Sequence, residues 1–404
     1  MANKVPDIRF EGFEGEWSNY IITDIARKRK VLNAGLAEKN LLSLSYGKIK
    51  RKNIETKKGL LPSSFSSYQI IEDGTIVFRF TDLQNDQKSL RVGLSHEKGI
   101  VSSAYVCVDP DKDVIIPQFL YWLLHYYDIN KVFYRMGDGI RQSISYDDLT
   151  EMNLTFPNYE EQNVLSLVMD SIDGRIMEQE ELCKKLKSLK TAMLYSLFPQ
   201  ESKYHPNIRI EGFSEDWRVV RLGDIADKVI DKNSRNALNL VYTNSAEFGI
   251  IPQSQFFDKK IANDNNLGGY FILEKDDFVY NPRISVTAPV GPINRNVNDL
   301  TGIVSPLYFV FRTHDVHPSF LSWYFKTTLW HKYMRFNGNV GARHDRFSIK
   351  ETSFLNMPIV CPSIEEQKAI SSVLNEYDRL IQLNEQKLEK LRNLKQAMLD
   401  KMFV

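Results

Sequence analysis

The chain has 404 residues, 43% hydrophobic and 25% charged, with a formal net charge of +1. That is ordinary globular composition, long enough for two or more cores, and the near-zero charge leaves nucleic-acid binding to local patches. It holds no apolar run of 18 residues and no apolar stretch near the start, and Cys107, Cys183 and Cys361 are scattered, so neither a membrane span, a secretory signal, a disulfide framework nor a structural metal is expected, and a reducing cytoplasm is.

The chain opens on Ile8-Arg9-Phe10-Glu11-Gly12-Phe13, then Trp17 and Asp24-Ile25-Ala26. A basic run follows, Arg27 to Lys30, and a second cluster holds Lys48, Lys50, Arg51, Lys52, Lys57 and Lys58 against Glu55 alone. Such clusters neutralise phosphates whatever the base sequence. Short β-rich runs, IVF at 76–78 and SAYVCV at 103–108, are broken by Gly, Asn, Asp and Pro. After the first comes FRFTDLQND, whose Arg79, Thr81, Asp82, Gln84 and Asn85 can hydrogen-bond base edges. Helical spacing sets in around Phe119–Tyr127. Gly137-Asp138-Gly139-Ile140-Arg141-Gln142-Ser143-Ile144 then brings flexible backbone together with the bidentate donors Arg141 and Gln142.

From Pro157 the pattern is one long helix. Asn158 and Glu161 have capping-box spacing, and Leu165, Met169, Ile172, Ile176, Gln179, Cys183, Leu186, Lys190, Met193 and Leu197 alternate by four and three. Over about 40 residues this predicts a rod of roughly 60 Å.

The plan then repeats. Ile208-Arg209-Ile210-Glu211-Gly212-Phe213, Trp217 and Asp224-Ile225-Ala226 match the opening, and Pro318, Phe320 and Trp323 match Pro117, Phe119 and Trp122. Residues ~30–115 and ~230–315 agree poorly, although FVY at 278–280 and PLYFVF at 306–311 are again β-rich and Phe320–Thr328 again helical. YNPRISVT supplies Asn281, Arg283, Ser285 and Thr287, and the second glycine-rich loop supplies Arg343, His344 and Arg346 as candidate DNA contacts. Pro362 opens the second long helix, with Ser363 and Glu366 at capping-box spacing and a seam of Ile370, Leu374, Tyr377, Ile381, Asn384, Leu388, Leu391, Lys395, Met398 and Met402. Each apolar seam needs a partner, and the simplest is the other helix, antiparallel to it. Gln179 and Asn384 are equivalent and polar; they either fix register or sit at a wet edge.

Motifs for chemistry are weak. There is no GxxxxGK[ST] loop. Asn281-Pro282-Arg283-Ile284 only faintly matches the Asn-Pro-Pro-Tyr/Phe of amino-methyltransferases. Glu366-Gln367-Lys368 has nuclease-like spacing, but its counterpart Glu161-Gln162-Asn163 lacks the lysine, and capping explains both better.

The duplicated Glu-Gly-Phe…Trp…Asp-Ile-Ala openings, the Gly-rich Arg/Gln loops and the Pro-x-x-Glu-Glu-Gln helices ending in Leu-Lys-x-Ala-Met-Leu together resemble the specificity (S) subunits of type I restriction-modification systems. The resemblance covers essentially the whole length. It implies an α+β chain of two pseudo-symmetric α/β target-recognition domains, 1–157 and 199–362, joined by two long antiparallel coiled-coil helices, 158–198 and 363–404. Each domain would read one half of a bipartite double-stranded DNA site, the helices setting the gap. The resemblance also implies no active site in this chain, two modification (methyltransferase) subunits bringing S-adenosylmethionine, and restriction subunits using ATP and Mg. The residues expected at DNA are Lys48, Lys50, Arg51, Lys52, Arg79, Thr81, Arg141, Gln142, Arg283, Arg343, His344 and Arg346. A fused restriction or methyltransferase enzyme and a coiled-coil scaffold that never touches DNA are the alternatives.

Overall fold

The computed structural model describes residues 4–52, 62, 64–80, 90–136, 144–200, 205–256, 264–341 and 344–404. Contacts divide the chain into two compact units, Met1–Glu181 with Gln386–Val404, and Leu182–Glu385. Each unit thus combines one module with parts of both long helices.

In the first unit, strand Ser18–Ile21 pairs antiparallel with Asn153–Phe156, tying the start of the module to its end. Between them runs a four-stranded antiparallel sheet in the order Ala26–Lys28, Val106–Pro110, Ile76–Phe78, Val92–Leu94. Ile76–Phe78 is buried at all three residues, which is why it reads as an unbroken apolar run rather than an alternation. The hairpin of Leu42–Ser45 and Lys48–Arg51 and the pair Gln69–Ile71 with Gly99–Val101 are linked by a parallel bridge from Leu41 to Ile100. Helix Pro117–Ile129 supplies Phe119 and Trp122 to a core that also takes Phe78, Phe133 and Phe156, and, from the end of the chain, Leu399, Met402 and Phe403.

The second unit repeats this order. Arg218–Arg221 pairs with Pro358–Cys361, and a four-stranded antiparallel sheet runs Ala226–Lys228, Phe309–Thr313, Phe278–Tyr280, Ile293–Arg295. A second sheet runs Gly249–Pro252, Val241–Ser245, Gly302–Val304, Phe271–Leu273, with Val241 opposite Ile303 in parallel pairing. The interiors that agree poorly in sequence therefore share one topology. Core positions demand apolar volume rather than particular residues, so little of the match shows residue by residue beyond the Gly-Ile-Val of Gly99–Val101 and Gly302–Val304. One polar pair does survive. The Asn33 side chain donates to the Glu38 carbonyl and accepts from its amide, and Asn233 does the same with Leu238.

Three expected boundaries shift. The strands expected at 103–108 and 306–311 lie at Val106–Pro110 and Phe309–Thr313, because Tyr105 N bonds back to Ser102 O and Tyr308 N to Ser305 O as turns. The helix expected over Phe320–Thr328 ends at Tyr324, where Lys326 N and Thr327 N bond to Trp323 O and Tyr324 O and tighten the last turn.

The long helices are Tyr159–Leu197 and Ile364–Met402, each of 39 residues. Every seam position named above is buried or half-buried, while Glu178, Glu180, Lys184 and Lys187 around them are exposed. In the first unit Lys395 meets Asp173 at 2.6 Å and Arg392 meets Glu180 at 2.7 Å; in the second Lys187 meets Glu385 at 2.6 Å and Lys190 meets Asp378 at 2.7 Å. Rising numbers on one helix meet falling numbers on the other, so within each unit the helices run antiparallel. The seam lysines are also held by aromatic faces, Lys395 over Trp122 at 4.7 Å and Lys190 over Trp323 at 5.7 Å. Gln179 is buried, which removes the wet-edge reading there; Asn384 is half-buried and donates to Leu380 O at 2.7 Å.

Candidate nucleic-acid interface

Glu161 and Glu366 overturn one expectation. Asn158 Oδ1 accepts from Glu161 N at 3.0 Å and Ser363 Oγ from Glu366 N at 3.3 Å, so both polar caps form. The glutamates do not complete the box. Glu161 takes Arg9 Nε and Nη2 at 2.7 and 2.6 Å, and Glu366 takes Arg209 Nε and Nη2 at 2.9 Å each. A guanidinium fork satisfies both carboxylate oxygens, which one backbone amide cannot do. Burial and bidentate pairing also remove Glu366 as a nuclease-type carboxylate. The neighbouring glutamines are structural as well. Gln162 accepts from Ile116 N at 3.0 Å and donates to Pro157 O at 3.0 Å; Gln367 accepts from His317 N at 2.8 Å and donates to Pro362 O at 3.0 Å. Burial pushes the Cys107 and Cys361 thiols up to about 12, so neither is a nucleophile near neutral pH.

The basic clusters of the first unit are sorted by their partners. Arg29 is tied to Asp109 at 2.7 Å and to Ile70 O at 2.6 Å, so it serves the sheet. Lys48 meets Asp173 on the long helix at 2.9 Å. Burial alone would raise the Asp173 carboxyl, but hydrogen bonds from Lys395 and Lys48 hold it below the usual range. Arg51 forks onto Glu97. Lys50 and Lys52 are exposed and form no ion pair with the described residues. Lys28 lies over the Tyr146 ring at 4.6 Å. Its counterpart Lys228 pairs with Glu351 at 2.6 Å and lies over Phe309 at 5.6 Å.

Arg79 and Asn281 occupy equivalent places. Phe78 pairs with Val92 and Tyr280 with Ile293 at the end of matching strands, and each residue in question comes next. FRFTDLQND and YNPRISVT thus leave their sheets at the same point of the fold. Thr81, Arg141, Gln142 and Arg343 lie outside the described residues, as do Asp82, Gln84, Asn85, Lys57 and Lys58.

In the second unit the structure brings two of the expected residues together. Strands Gly338–Val340 and Phe347–Ile349 form a hairpin, and the segment after Asn281 pairs along it: Phe347 N donates to Pro282 O at 2.7 Å, Ile284 N to Asp345 O at 3.1 Å, and Arg283 bridges Arg346 antiparallel. Residues directly opposite on an antiparallel pair project to one side. Arg283 and Arg346 are both exposed, and the carboxylate nearest to Arg346 is Asp345, a loose 4.0 Å from its Nε. His344 is exposed in the same loop at φ 54°. Two like charges face to face are unfavourable in the free chain and suit an anion placed between them. The sequence pointed to each arginine but not to their pairing, because Asn281-Pro282-Arg283 and the glycine-rich loop lie some sixty positions apart.

Residues 214–393 match the family model described as type I restriction modification DNA specificity domain. The type I restriction enzyme MjaX specificity subunit of Methanocaldococcus jannaschii is 25% identical over 306 residues, covering 72% of this chain and 68% of that protein. The MjaVIII specificity subunit of the same organism is 23% identical over 328 residues, covering 75% and 73%. The crystal structure of a type I restriction-modification system S subunit from M. genitalium shares the fold over 99% of each chain, with a TM-score of 0.58 at 15% identity. No helix among the described residues is long and apolar enough to cross a membrane. With a duplicated module, paired long helices and these matches, the chain is similar to the DNA specificity subunits of type I restriction-modification systems.

Proposed function

We propose that each module reads one half of a bipartite double-stranded DNA target and that the long helices set the gap between the halves. The observation that carries this reading is the Arg283–Arg346 pair, two exposed guanidinium side chains opposite one another on paired backbone. A phosphate between them would relieve the repulsion and release counterions. Two modules of one topology with unlike exposed residues suit two unlike half-sites.

In this reading the chain carries no active site. Two modification subunits bring S-adenosylmethionine and methylate adenine, and restriction subunits bring ATP and Mg. The complex works in the cytoplasm. The exposed Glu178 and Lys184, and Lys387 and Glu389, are available to such partners, while Lys187 and Glu385 pair with each other. The test is co-expression with modification subunits in a methylation-free host, followed by methylation-sensitive long-read sequencing. Adenine methylation at one split motif is expected. Methylation or cleavage by the isolated chain overturns the reading.

A further inference from the structure

We infer that Asn281 is the positioning residue for recognition by the second module: it holds the Arg283 segment in register on the glycine-rich hairpin and so fixes which bases that half of the chain accepts. The inference rests on the DNA-reading role above and gives Asn281, a candidate contact by sequence, a positioning role instead.

Asn281 is clamped on three sides. Its amide N donates to Pro292 O at 3.0 Å, and its side-chain Nδ2 donates to Asn244 O at 2.9 Å. Gly291, at φ +84°, brings its backbone so close that an added Cβ would lie 2.2 Å from Asn281 O, so only glycine permits the clamp. Asn281 donates on that side and accepts on the other. Its Oδ1 accepts the Arg283 backbone N–H at 2.9 Å, a turn that forces Arg283 out beside Arg346.

The anchor behind Asn281 is itself overdetermined. Asn244 is buried; its Nδ2 donates to Val279 O at 2.6 Å and its Oδ1 accepts from Asn294 Nδ2, also at 2.6 Å. Asn294 donates further to Ser245 O at 3.0 Å and accepts from Lys326 Nζ at 2.7 Å. Hydrogen bonds therefore run from Lys326 through the Asn294 and Asn244 side chains, and from the Asn244 backbone carbonyl through the Asn281 side chain, to the backbone N–H of the exposed Arg283. Buried polar networks with every member satisfied specify one geometry rather than add net stability. Apolar packing could hold the sheet edge equally well; it could not aim one backbone amide.

The experiment uses the full chain with its modification subunits and compares wild type, Asn281→Ala, Asn281→Asp and Arg283→Ala by long-read methylation sequencing. Asn281→Asp is isosteric, keeps an acceptor for Arg283 N–H, and turns the donor toward Asn244 O into a second acceptor. The expected result is that both Asn281 variants relax the same half of the split motif, by roughly tenfold or more in discrimination at one or more positions, while the other half stays as in wild type; Arg283→Ala, which removes a phosphate partner, lowers methylation and leaves the motif as in wild type. In the Asn281 variants, relaxation of both halves alike, loss of all methylation by a folded complex, or an unchanged motif overturns the proposal. Where the alanine chain fails to accumulate, the aspartate variant decides alone. Failure of the wild-type complex to methylate any split motif is a different outcome: it sinks the DNA-reading role itself.

Discussion

Arg9 and Glu161, 152 positions apart, form a bidentate ion pair at 2.7 and 2.6 Å, and Arg209 with Glu366 repeats it at 2.9 Å. Each pair pins the opening segment of a module to the first turn of the long helix that follows it. The carboxylates are 1% exposed, so removing either arginine strands a buried charge. Arg9→Ala or Glu161→Ala should destabilise the first unit by about 3–5 kcal/mol, whereas replacing both partners with leucine should cost far less. Urea unfolding followed by a probe in each unit measures this; equal losses for single and paired replacements would refute it.

Phe403 does for the first unit what Phe198 does for the second. Phe403 stacks on Phe119 with ring centroids 5.9 Å apart, and Phe198 on the equivalent Phe320 at 5.3 Å. Ile8 N bonds to Lys401 O and Ile208 N to Ser196 O, so each opening segment meets the end of a long helix. At the second module that helix end is continuous with the opening in sequence; at the first it arrives from the far end of the chain. Phe403→Ala should cost about 3–5 kcal/mol and lower the first unit's unfolding transition, with Phe198→Ala doing the same to the second. A Phe403→Ala chain whose first transition does not move is the contrary result.

Much of this architecture was legible beforehand. The four-three alternation named every seam position, since a helix periodicity that must bury one stripe leaves no freedom over 39 residues. Arg283 was also visible, as a donor following a strand, and Arg346, as a donor in the glycine-rich loop. What was not visible depends on partners far away in sequence. Glu161 looked like a cap because its spacing from Asn158 is local, while Arg9 is not. Lys48 reads as a DNA contact in a cluster that Glu55 alone opposes in sequence, while Asp173 pairs with it in space. The shared topology of the interiors was hidden because most equivalent positions keep apolar character rather than identity, as where Leu41 opposite Ile100 becomes Val241 opposite Ile303.

Lys48 and Lys50 should therefore separate. Lys50 is exposed and should contribute to phosphate affinity; Lys50→Ala should weaken DNA binding by the intact complex evenly across sequences and reduce the salt slope by about 1. Lys48→Ala should leave that slope unchanged and cost the first unit about 1 kcal/mol or less, because Asp173 keeps Lys395. Salt titrations of binding by fluorescence anisotropy distinguish them, and a slope change with Lys48→Ala would reassign that residue to the DNA.

Arg283→Ala and Arg346→Ala should move stability and binding in opposite directions. Each relieves the opposition of like charges, so the free chain should gain a few tenths of a kcal/mol, up to about 1. Each also removes a phosphate partner, so DNA affinity should fall. If one anion is shared between them, the double variant should lose less affinity than the two single losses added. Strictly additive losses would mean two separate phosphates.

His125 gives the first unit a pH dependence. Burial first, and then the Lys395 ammonium, lowers the imidazole to about 3, although Asp173 pulls the other way. An unfolded histidine titrates near 6.5. Between about pH 6.5 and 3 the unfolded chain takes up a proton that the folded chain refuses, so this group's contribution falls as pH falls, by up to ~1.4 kcal/mol per pH unit. Asp128 opposes it: burial raises that carboxyl to about 6, so the folded chain binds a proton before the unfolded one and gains stability as pH drops from about 6 to 4. The two are separated by difference. Wild type should lose stability relative to His125→Leu progressively below pH 6.5, measured by urea midpoints of the first unit's transition. Parallel pH profiles for the two chains would show that His125 is protonated in the folded state.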